Sequence, residues 1–397
     1  MRIAIFSDHF YPELSGIADS IFSLAKELAS RGHLVRFYVP HYSARDFAKV
    51  HLPCKEIDLG ERVTVKRFFS FPNVLGVSAR LVIPTGTRIM DVRRWQPDII
   101  HTQLFGGVGL EALLAAWVLK IPLVGTNHTA TSEFARYAPF AKNWVERVSV
   151  NYVDWYYNHC AVVTGPSRAI LDEMIASGLT RPATPISNPI DVSLFAPVSA
   201  PRKLELKKKF GFSGNTVIYA GRLALEKNIN VLIKAIAVAK EKVPDIQLAL
   251  AGHGPDEASL KQLATKLNVE KRVLFLGLLD KATLANAFQA CELFAIASTG
   301  ETQCMGMIQA MACGVPTVGV NARALPEYLA YHNGVVVEPG DFHAFARNFA
   351  AFAAQPAARE QMGHHALRFA HTVSPEKIAE KWETIYARAI KEHQLKK

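Results

Sequence analysis

The sequence predicts an α/β protein that consists of two doubly wound parallel sheets. Short apolar runs alternate with longer segments in which apolar residues recur at helical spacing. The apolar runs are nearly continuous, which is typical of strands covered by helices on both faces. The alternation breaks near residues 195–215, where two prolines and a charged run predict a linker, and then restarts. The 397 residues therefore form two βαβ-type halves of similar size.

Each half begins with a strand. Between the first two strands, apolar residues from Ile17 to Leu28 form the stripe of a helix that Arg31-Gly32 ends. A last helix begins at Ser374-Pro375. We place the first domain at 1–194, the second at 195–373 and the C-terminal helix at 374–397. The predicted strands are 2–8, 34–40, 98–103, 122–128 and 161–167 in the first half, and 216–221, 246–252, 273–277, 293–298, 316–320 and 334–339 in the second.

Composition limits the class of protein. Half of the residues are hydrophobic, but no apolar stretch reaches the ~18 residues of a membrane-spanning helix. The N-terminal apolar run is too short for a signal peptide, so we expect a cytoplasmic protein. Five scattered cysteines without a CxxC pair disfavour disulfides and structural zinc. The net charge of +10 is spread over both halves of the chain. Such a charge is compatible with an anionic partner or with solubility alone. We expect no nucleic-acid partner.

Several common site motifs are missing from the sequence. It contains no GxxxxGK[ST], GxSxG or HExxH motif. The segment GHGPDE at 252–257 is only part of a dinucleotide fingerprint. No Asp-x-Asp pair occurs, which argues against a divalent metal held by paired aspartates on the phosphates of a ligand. We therefore expect no metal.

One candidate anion site follows the first strand of the second half. That strand ends at Gly221, and Arg222 and Lys227 flank the turn before the next helix. A guanidinium and an ammonium at one strand end, together with a helix N-terminus, can bind a diphosphate. The alternative is a solvated basic turn in which Glu226 pairs with a neighbour.

A second candidate lies at 300–314, in GETQCMGMIQAMACG. Glu301 stands between a strand end and a helix predicted from about Cys304. The backbone N–H groups of Cys304 and Met305 would be available to a phosphate, and the carboxylate to sugar hydroxyls. The alternative is an acid that only balances the helix dipole.

A third candidate lies in the first half. His128 closes a strand, and Gly16 opens the first helix, where a glycine allows close backbone approach to a phosphate or sugar. His9, His101 and His128 all lie at strand ends. A lone histidine is, however, more often a structural hydrogen-bonding group than a catalyst.

Together these segments resemble the retaining, nucleotide-sugar-dependent glycosyltransferases of family 4, and in particular the lipid and diacylglycerol glucosyltransferases. The matching segments are GRLALEKN, AGHGP, LFLGLLDKATLANAFQACELFAIAS and ETQCMGMIQAMACGVPTV, with PELSGIADS, DIIHTQ and GTNHT in the first half. The resemblance spans nearly the whole chain. It implies the GT-B fold, with two Rossmann-like domains facing a central cleft and a C-terminal helix that packs back on the first domain.

The resemblance implies roles for residues of the second domain. Arg222 and Lys227 would hold the diphosphate and stabilise the leaving group. Glu301 would bind the transferred sugar, and the N–H groups of Cys304 and Met305 would support the phosphate and the sugar. With His128, the side chains of Arg222, Lys227 and Glu301 form the predicted catalytic set.

His128 and three further positions complete the implied site. Gly16 would contact the diphosphate from the first domain, His128 would lie near the donor sugar and the acceptor, Leu278 would meet the base through its backbone, and Gln309 would meet the ribose. The family pattern has Glu where this chain has Gln309, and relatives have Gly at Cys304. We expect weaker nucleotide binding from the amide, and a side chain at Cys304 that crowds the donor.

The implied reaction transfers a hexose, with UDP-glucose favoured as donor, to a lipid hydroxyl such as that of diacylglycerol. The resemblance implies that the α configuration is kept. No second carboxylate is apparent for a glycosyl-enzyme intermediate of the glycosidase type, so attack on the same face suits the residues better. No metal or other cofactor is implied. The alternatives are a GDP-mannose-dependent mannosyltransferase of the phosphatidylinositol type, a soluble polysaccharide or glycoside glycosyltransferase, and an inactive sugar-nucleotide binding protein.

Two segments of the first domain suit an anionic membrane surface. Residues 75–95 contain Arg80, Arg88, Arg93 and Arg94, and residues 136–157 are rich in Trp and Tyr. We therefore expect peripheral association with the inner face of the membrane. The alternative is that the aromatic residues are core and the arginines are solvated.

Overall fold

The computed structural model describes residues 1–13, 15–50, 52–72, 80–130 and 142–395. The chain folds into two compact units. The first contains Met1–Pro189 together with Pro375–Lys397, and the second contains Ile190–Ser374. The first unit is therefore made of two separate stretches of sequence, whereas the second is one continuous stretch.

The first unit has a seven-stranded parallel sheet with helices around it. The strands are β1 (Arg2–Phe6), β2 (Leu34–Pro40), β3 (Val63–Phe68), β4 (Ile99–Thr102), β5 (Leu123–Thr126), β6 (Val162–Gly165) and β7 (Ala183–Pro185). The helices are α1 (Gly16–Ser30), α2 (Ala44–Lys49), α3 (Ile89–Trp95), α4 (Gly107–Leu119), α5 (Lys142–Tyr157), α6 (Arg168–Ser177) and, from the end of the chain, α15 (Pro375–Gln394). The strand order is β3-β2-β1-β4-β5-β6-β7.

The second unit has a six-stranded parallel sheet. Its strands are β8 (Asn215–Ala220), β9 (Ile246–Ala251), β10 (Val273–Gly277), β11 (Leu293–Ile296), β12 (Thr317–Val320) and β13 (Gly334–Val337). Its helices are α7 (Ala200–Phe210), α8 (Ile229–Ala239), α9 (Glu257–Lys266), α10 (Lys281–Gln289), α11 (Met305–Ala312), α12 (Leu325–Leu329), α13 (Phe342–Ala354) and α14 (Pro356–His371). The strand order is β10-β9-β8-β11-β12-β13.

Both sheets reverse their strand order at one point, between β1 and β4 in the first unit and between β8 and β11 in the second. At such a point the crossover helices leave on opposite faces of the sheet, so that the loops after the two strands diverge and leave a crevice. The predicted two-sheet architecture is confirmed. The functional residues are expected at these two edges.

The apolar stripe of α1 shows why the first β-α unit forms. Ile21, Leu24 and Leu28 are buried, while Ser15 caps the helix by accepting a hydrogen bond from the N–H of Ala18 at 3.2 Å. Gly32 follows with φ +92°, a left-handed conformation that glycine adopts readily, and ends the helix.

The last helix, α15, packs against α1 within the first unit. Trp382 and Tyr386 of α15 are buried, and Glu383 accepts hydrogen bonds from Arg31 Nε at 2.9 Å and Nη2 at 2.8 Å. His33 Nε2 lies 2.7 Å from the same carboxylate. These bonds lower the pKa of Glu383 to about 2, with Arg31 as the largest cause. The end of the chain is therefore tied to the first unit by both apolar and ionic contacts.

The predicted linker at 195–215 is wrong, because this segment contains α7. Pro201 lies in the first turn of that helix, where its missing N–H costs nothing, and Lys207 Nζ lies 2.6 Å from Glu292 Oε1. The chain leaves the first unit earlier, at Pro189 rather than at residue 194. Residues Ile190–Ser374 belong to the second unit. At its start, the N–H of Ile190 donates to the carbonyl of Val373 at 3.0 Å.

Two strands of the first unit were not predicted. β3 has the sequence VTVKRF, in which two basic residues follow three β-formers, and only Phe68 is fully buried. β7 is three residues long. Both flank the sheet, at its two edges. Edge strands carry weaker apolar patterns because one side of the strand faces solvent.

The two segments predicted to face a membrane are described only in part, because residues 75–79 and 136–141 lie outside the described ranges. In the first segment, some arginines are paired within the fold and others are exposed. Arg80 is paired with Asp46 at 2.6 Å and Arg88 donates to the carbonyl of Arg67, so these two arginines serve the fold. Arg93 and Arg94 are exposed. In the described part of the chain, every helix is too short or too polar to cross a bilayer.

Candidate active site

The loops after β8, β9 and β10 are joined at one edge of the second sheet. The N–H of Gly221 donates to the carbonyl of Ala251 at 2.9 Å, and the N–H of Gly252 donates to the carbonyl of Gly277 at 2.8 Å. A Cβ at Gly252 would lie only 1.9 Å from the carbonyl oxygen of Gly221, so no larger residue fits. Leu278, which follows Gly277, is 69 % exposed at this edge. The AGHGP segment is thus a packing element beside the candidate site.

Lys227 and Glu301 are brought together by the neighbouring strands β8 and β11. Lys227 ends a single 3-10 turn at Leu225–Lys227, and its Nζ lies 2.6 Å from Glu301 Oε1. Their side chains are 23 % and 12 % exposed. Burial lowers the pKa of Lys227, but the charge and hydrogen bond of Glu301 outweigh this effect, so its pKa is raised. The ammonium is therefore fully charged at neutral pH and held in a partly desolvated place, where an anion interacts with it more strongly than in water.

Arg222 takes a different local partner. Its guanidinium is paired with Glu226, four residues on, and is half exposed. The carbonyl of Arg222 accepts from the Tyr219 hydroxyl at 3.1 Å, which anchors the turn to the buried end of β8. Burial raises the pKa of Tyr219 well above its ordinary value, and the charge of Glu301 adds to this effect. This pairing is the one that the alternative, a solvated basic turn, predicts, and the Arg222 side chain remains half exposed.

The N-terminus of α11 lies against the end of β8. A Cβ added to Gly306 would stand 3.0 Å from the carbonyl oxygen of Ala220, so the helix approaches the strand closely. Met305 is the first helical residue, and the first N–H groups of any helix have no partner within it. Cys304 precedes it with φ +67°, a left-handed conformation that favours glycine. This explains physically why glycine suits position 304. Burial raises the pKa of the Cys304 thiol, so the group is neutral.

Gln309 lies in the second turn of α11, on a helix that is otherwise mostly buried. It is partly exposed, whereas its neighbours Ile308 and Ala310 are completely buried. Its side chain therefore lies on the accessible side of α11, compatible with the proposed ribose contact.

In the first unit, Gly16 begins α1 and is exposed. The loop that leads to it is held by His9, whose Nδ1 lies 2.6 Å from Glu13 Oε1. Burial lowers the pKa of His9, but the bond to Glu13 and its charge outweigh this, so the pKa is raised. Tyr42 donates to the second oxygen of Glu13 at 3.2 Å. The β1-α1 loop thus carries a charged pair next to the first helix.

His128 differs from the cationic groups of the second unit. It is 8 % exposed, and its Nε2 lies 2.8 Å from Gln103 Oε1 at the end of β4. Burial lowers its pKa to about 3, and the nearby charge of His9 contributes. His101 is fully buried, and burial lowers its pKa to about 3 as well. Both rings are neutral at physiological pH and can orient a hydroxyl without bringing charge.

Three side chains near the two histidines were not predicted from the sequence. Gln103, Thr126 and Tyr386 all contact the His101–His128 pair, directly or through each other. Gln103 and Thr126 stand at strand ends beside the histidines, which is a usable sequence signal. Tyr386 comes from α15, and nothing in the sequence links it to β4. Among the described residues, no group of three or more His, Cys, Asp or Glu side chains is arranged to hold a metal ion.

Comparison with known proteins adds family information to this geometry. Residues 14–194 match the family described as Glycosyltransferase Family 4, and residues 203–369 match Glycosyl transferases group 1. An alpha-monoglucosyldiacylglycerol synthase of Streptococcus pneumoniae is 28 % identical over 80 % of this chain and 70 % of its own length. A GDP-mannose-dependent alpha-mannosyltransferase of Corynebacterium glutamicum is 29 % identical over 86 % of this chain and 78 % of its own.

Solved structures share the fold. The structure of Anabaena HepE in complex with UDP has a TM-score of 0.77 at 20 % identity and covers 98 % of this chain and 100 % of its own. Sucrose-phosphate synthase from Thermosynechococcus elongatus has a TM-score of 0.76 at 18 % identity, covering 98 % of each chain. Two sheets with these strand orders and two successive glycosyltransferase matches lead to one conclusion: the chain belongs to the family 4 glycosyltransferases with the GT-B fold.

Proposed function

We propose that this glycosyltransferase transfers a hexose from a UDP-sugar, with glucose favoured, to the hydroxyl of a membrane lipid such as diacylglycerol. The observation that carries the donor part is the Lys227–Glu301 pair at 2.6 Å, at the switch point of the second sheet. A cation for phosphate and a carboxylate for sugar hydroxyls stand side by side there, next to the N-terminus of α11.

In the proposed donor complex, the diphosphate binds Lys227 in place of Glu301. The Glu301 carboxylate then accepts hydrogen bonds from the hexose hydroxyls. Arg222, which is accessible at 55 % side-chain exposure, closes on the same diphosphate. The loops after β8, β9 and β10, which are joined by backbone hydrogen bonds, provide a rigid edge for the nucleoside. Leu278 lies beside the base and Gln309 beside the ribose. Two cations and a helix N-terminus supply the positive charge, and we propose that no divalent ion is required.

The proposed reaction proceeds with retention. The bond between the anomeric carbon and the phosphate oxygen breaks, and the leaving diphosphate takes the electron pair. Lys227, Arg222 and the N–H groups at the start of α11 stabilise that developing charge. The acceptor hydroxyl attacks from the same face and passes its proton to a leaving-phosphate oxygen. His128, which is neutral, orients hydroxyl groups and is not the nucleophile.

Support for a lipid acceptor comes from the relatives and from one helix face. The printed names of two relatives, from Streptococcus pneumoniae and Acholeplasma laidlawii, are alpha-monoglucosyldiacylglycerol synthase. On α5, Trp144, Val148 and Trp155 recur at helical spacing and are 67 %, 45 % and 48 % exposed. Exposed tryptophans on one face of a helix, with Arg147 also exposed, suit the interface of an anionic bilayer.

A second candidate donor is GDP-mannose. The relatives from Corynebacterium glutamicum and Mycolicibacterium smegmatis are named GDP-mannose-dependent alpha-mannosyltransferases and are 29 % and 26 % identical. Identities this similar to that of the glucosyl-lipid relatives favour neither base. The Gln309 amide meets the ribose, which both donors share, and so does not separate them.

The test is transfer of labelled glucose from UDP-glucose into vesicles of diacylglycerol mixed with an anionic phospholipid, with and without EDTA. Labelled glycolipid of α configuration, formed equally with EDTA, is the expected result. Product from GDP-mannose alone would overturn the donor but keep the mechanism. Product only on a water-soluble acceptor would overturn the lipid. Nucleotide binding without transfer to any acceptor would identify a binding protein.

A further inference from the structure

The chains that leave β8 and β9 remain paired beyond the ends of the two strands. The N–H of Gly221 donates to the carbonyl of Ala251 at 2.9 Å, and the N–H of Leu223 donates to the carbonyl of His253 at 3.1 Å. The second bond repeats the first after two residues on each chain, as the steps of a parallel ladder do. This register places Arg222 opposite His253.

Glycines let the two chains lie close together at this point. A Cβ on Gly252 would stand 1.9 Å, and one on Gly254 would stand 2.2 Å, from a carbonyl oxygen of the opposing chain. Gly221 and Gly252 have nearly equal φ angles of +153° and +151°, so the two chains turn in the same way. Paired chains of a sheet lie about 4.8 Å apart. The side chains of Arg222 and His253 therefore start from neighbouring positions at the carboxyl edge of the sheet.

Each of these two side chains is paired with a glutamate four residues further along the chain. Arg222 is paired with Glu226. His253 Nδ1 lies 2.9 Å from Glu257 Oε2, and the His253 side chain is 69 % exposed. Hydrogen bonds from Lys261 and then His253 lower the pKa of Glu257, so its carboxylate stays charged. The imidazole is thus held at Nδ1 by a fixed negative charge, although it lies at the surface.

A ring held at Nδ1 leaves Nε2 for a ligand. In the ranges that the structure describes, Nε2 of His253 has no hydrogen-bond partner. Because Nδ1 donates to the carboxylate, the ring donates from Nε2 only when it carries a second proton. A phosphate oxygen is the acceptor that suits such a ring, since a hydrogen bond between an imidazolium and a phosphate is assisted by charge on both sides.

The strand order gives this ring a place along the donor. In the proposed donor complex the base lies at the end of β10 and the diphosphate at the end of β8, and β9 lies between these two strands. We propose that His253 binds the phosphate that is attached to the ribose, beside Arg222. The assignment rests on the proposed function, because Leu278 and Arg222 mark the two ends of the donor there. The ribose itself is left to Gln309.

The test measures how tightly the full chain binds UDP, UMP and uridine. GDP, GMP and guanosine form a second series, so that the result does not depend on the base. Calorimetry measures the nucleotides, and ligand-detected NMR measures the nucleosides. His253→Gln keeps a hydrogen-bond donor but cannot carry a charge. His364→Gln, at an exposed position of α14, is the matched control. Thermal unfolding and transfer from UDP-glucose are measured on the same samples.

The expected pattern separates the phosphate from the nucleoside. His253→Gln is expected to weaken the binding of the nucleoside diphosphate and of the monophosphate about tenfold each, because one charge-assisted bond to the shared phosphate is lost. The binding of the nucleoside is expected to change less than about twofold. His364→Gln is expected to bind all ligands as the wild type does.

Unchanged nucleotide binding in His253→Gln would overturn the proposal. An equal loss for the nucleoside would also overturn it, because the contact would then be to the ribose or the base. A loss for the diphosphate without one for the monophosphate would overturn it too, since the contact would be to the outer phosphate. A wild type that binds neither series would overturn both this proposal and the proposed donor. Nucleotide binding without transfer would overturn the proposed reaction alone.

Discussion

The first and second units have sheets of equivalent strand order, but the side chains compared at their switch points differ in charge. In the second unit, Lys227 is charged, partly exposed and paired with Glu301. In the first, His101 and His128 are buried and neutral, and are joined by an amide. The same topology therefore presents a lysine–glutamate pair in one unit and, beside the His9–Glu13 pair, two buried neutral histidines in the other. The difference arises from the residues at the ends of the strands and in the turns that follow, since His101 belongs to β4 and Lys227 to the turn after β8.

The largest expected effect comes from removing the lysine of the charged edge, which is the Lys227–Glu301 pair. Lys227→Ala is expected to lower kcat about 100-fold or more, because one preorganised charge on the leaving group is lost. Lys234→Ala is the matched control, since Lys234 lies on α8 and contacts the Phe342 ring. Transfer kinetics with UDP-glucose measure both. A Lys227→Ala rate within a few-fold of wild type would contradict the proposed leaving-group role.

The neutral edge is expected to be sensitive to acid. The pKa values of His101 and His128 are about 3, below the ordinary value, so between that and about pH 6.5 the unfolded chain binds protons that the folded chain does not. The unfolding free energy then falls as pH drops below about 6.5, by about 1.4 kcal/mol per pH unit for each histidine. Asp8 and His9 have raised pKa values and act in the opposite direction.

Tryptophan fluorescence isolates this effect, because all five tryptophans belong to the first unit. Urea midpoints between pH 7.5 and 5.5 should therefore depend less on pH in His128→Gln than in wild type. Asp8 and His9 are common to both chains, so the difference reports His128. Equal pH dependence in the two chains would show that His128 is not held neutral.

A smaller effect, on donor KM, is expected from a substitution on α11 next to the charged edge. Gln309→Glu restores a carboxylate on the accessible side of α11 and is expected to lower donor KM about fivefold, through one charge-assisted bond worth on the order of 1 kcal/mol. Gln262→Glu, at an exposed position of α9, is a control with the same chemical change. An unchanged donor KM in Gln309→Glu would count against a ribose contact.

The smallest expected effect concerns the start of α11. Cys304 has φ +67°, which costs about 1 kcal/mol for a residue with a side chain. Cys304→Gly is therefore expected to raise the unfolding free energy by less than about 1 kcal/mol, because glycine also loses more entropy on folding. Thermal unfolding measures it, with Cys313→Ala as a cysteine control at a position of negative φ. A destabilised Cys304→Gly would show that the thiol contributes packing that outweighs the strain.

The positions of Lys227, Glu301 and the strand-end histidines were predictable from the sequence, whereas the contact of α15 with His101 was not. Parallel strand ends meet at one edge, so a lysine after β8 and a glutamate after β11 could be placed together from their positions alone. The contact of His101 with Tyr386 joins residues 285 positions apart, and no periodicity encodes such a contact. Similarly, α7 was not predicted, because it contains Pro201 and a run of lysines and buries only Leu206 fully.

The two-part first unit also has a consequence for biosynthesis. His101 leaves the ribosome 285 residues before Tyr386 does. At about 5–20 residues per second, that interval is roughly 15 s to 1 min. Throughout it, the face of the first unit that receives Trp382 has no cover, while the continuous second unit can complete its own sheet. A nascent chain would therefore be able to finish its second domain before its first.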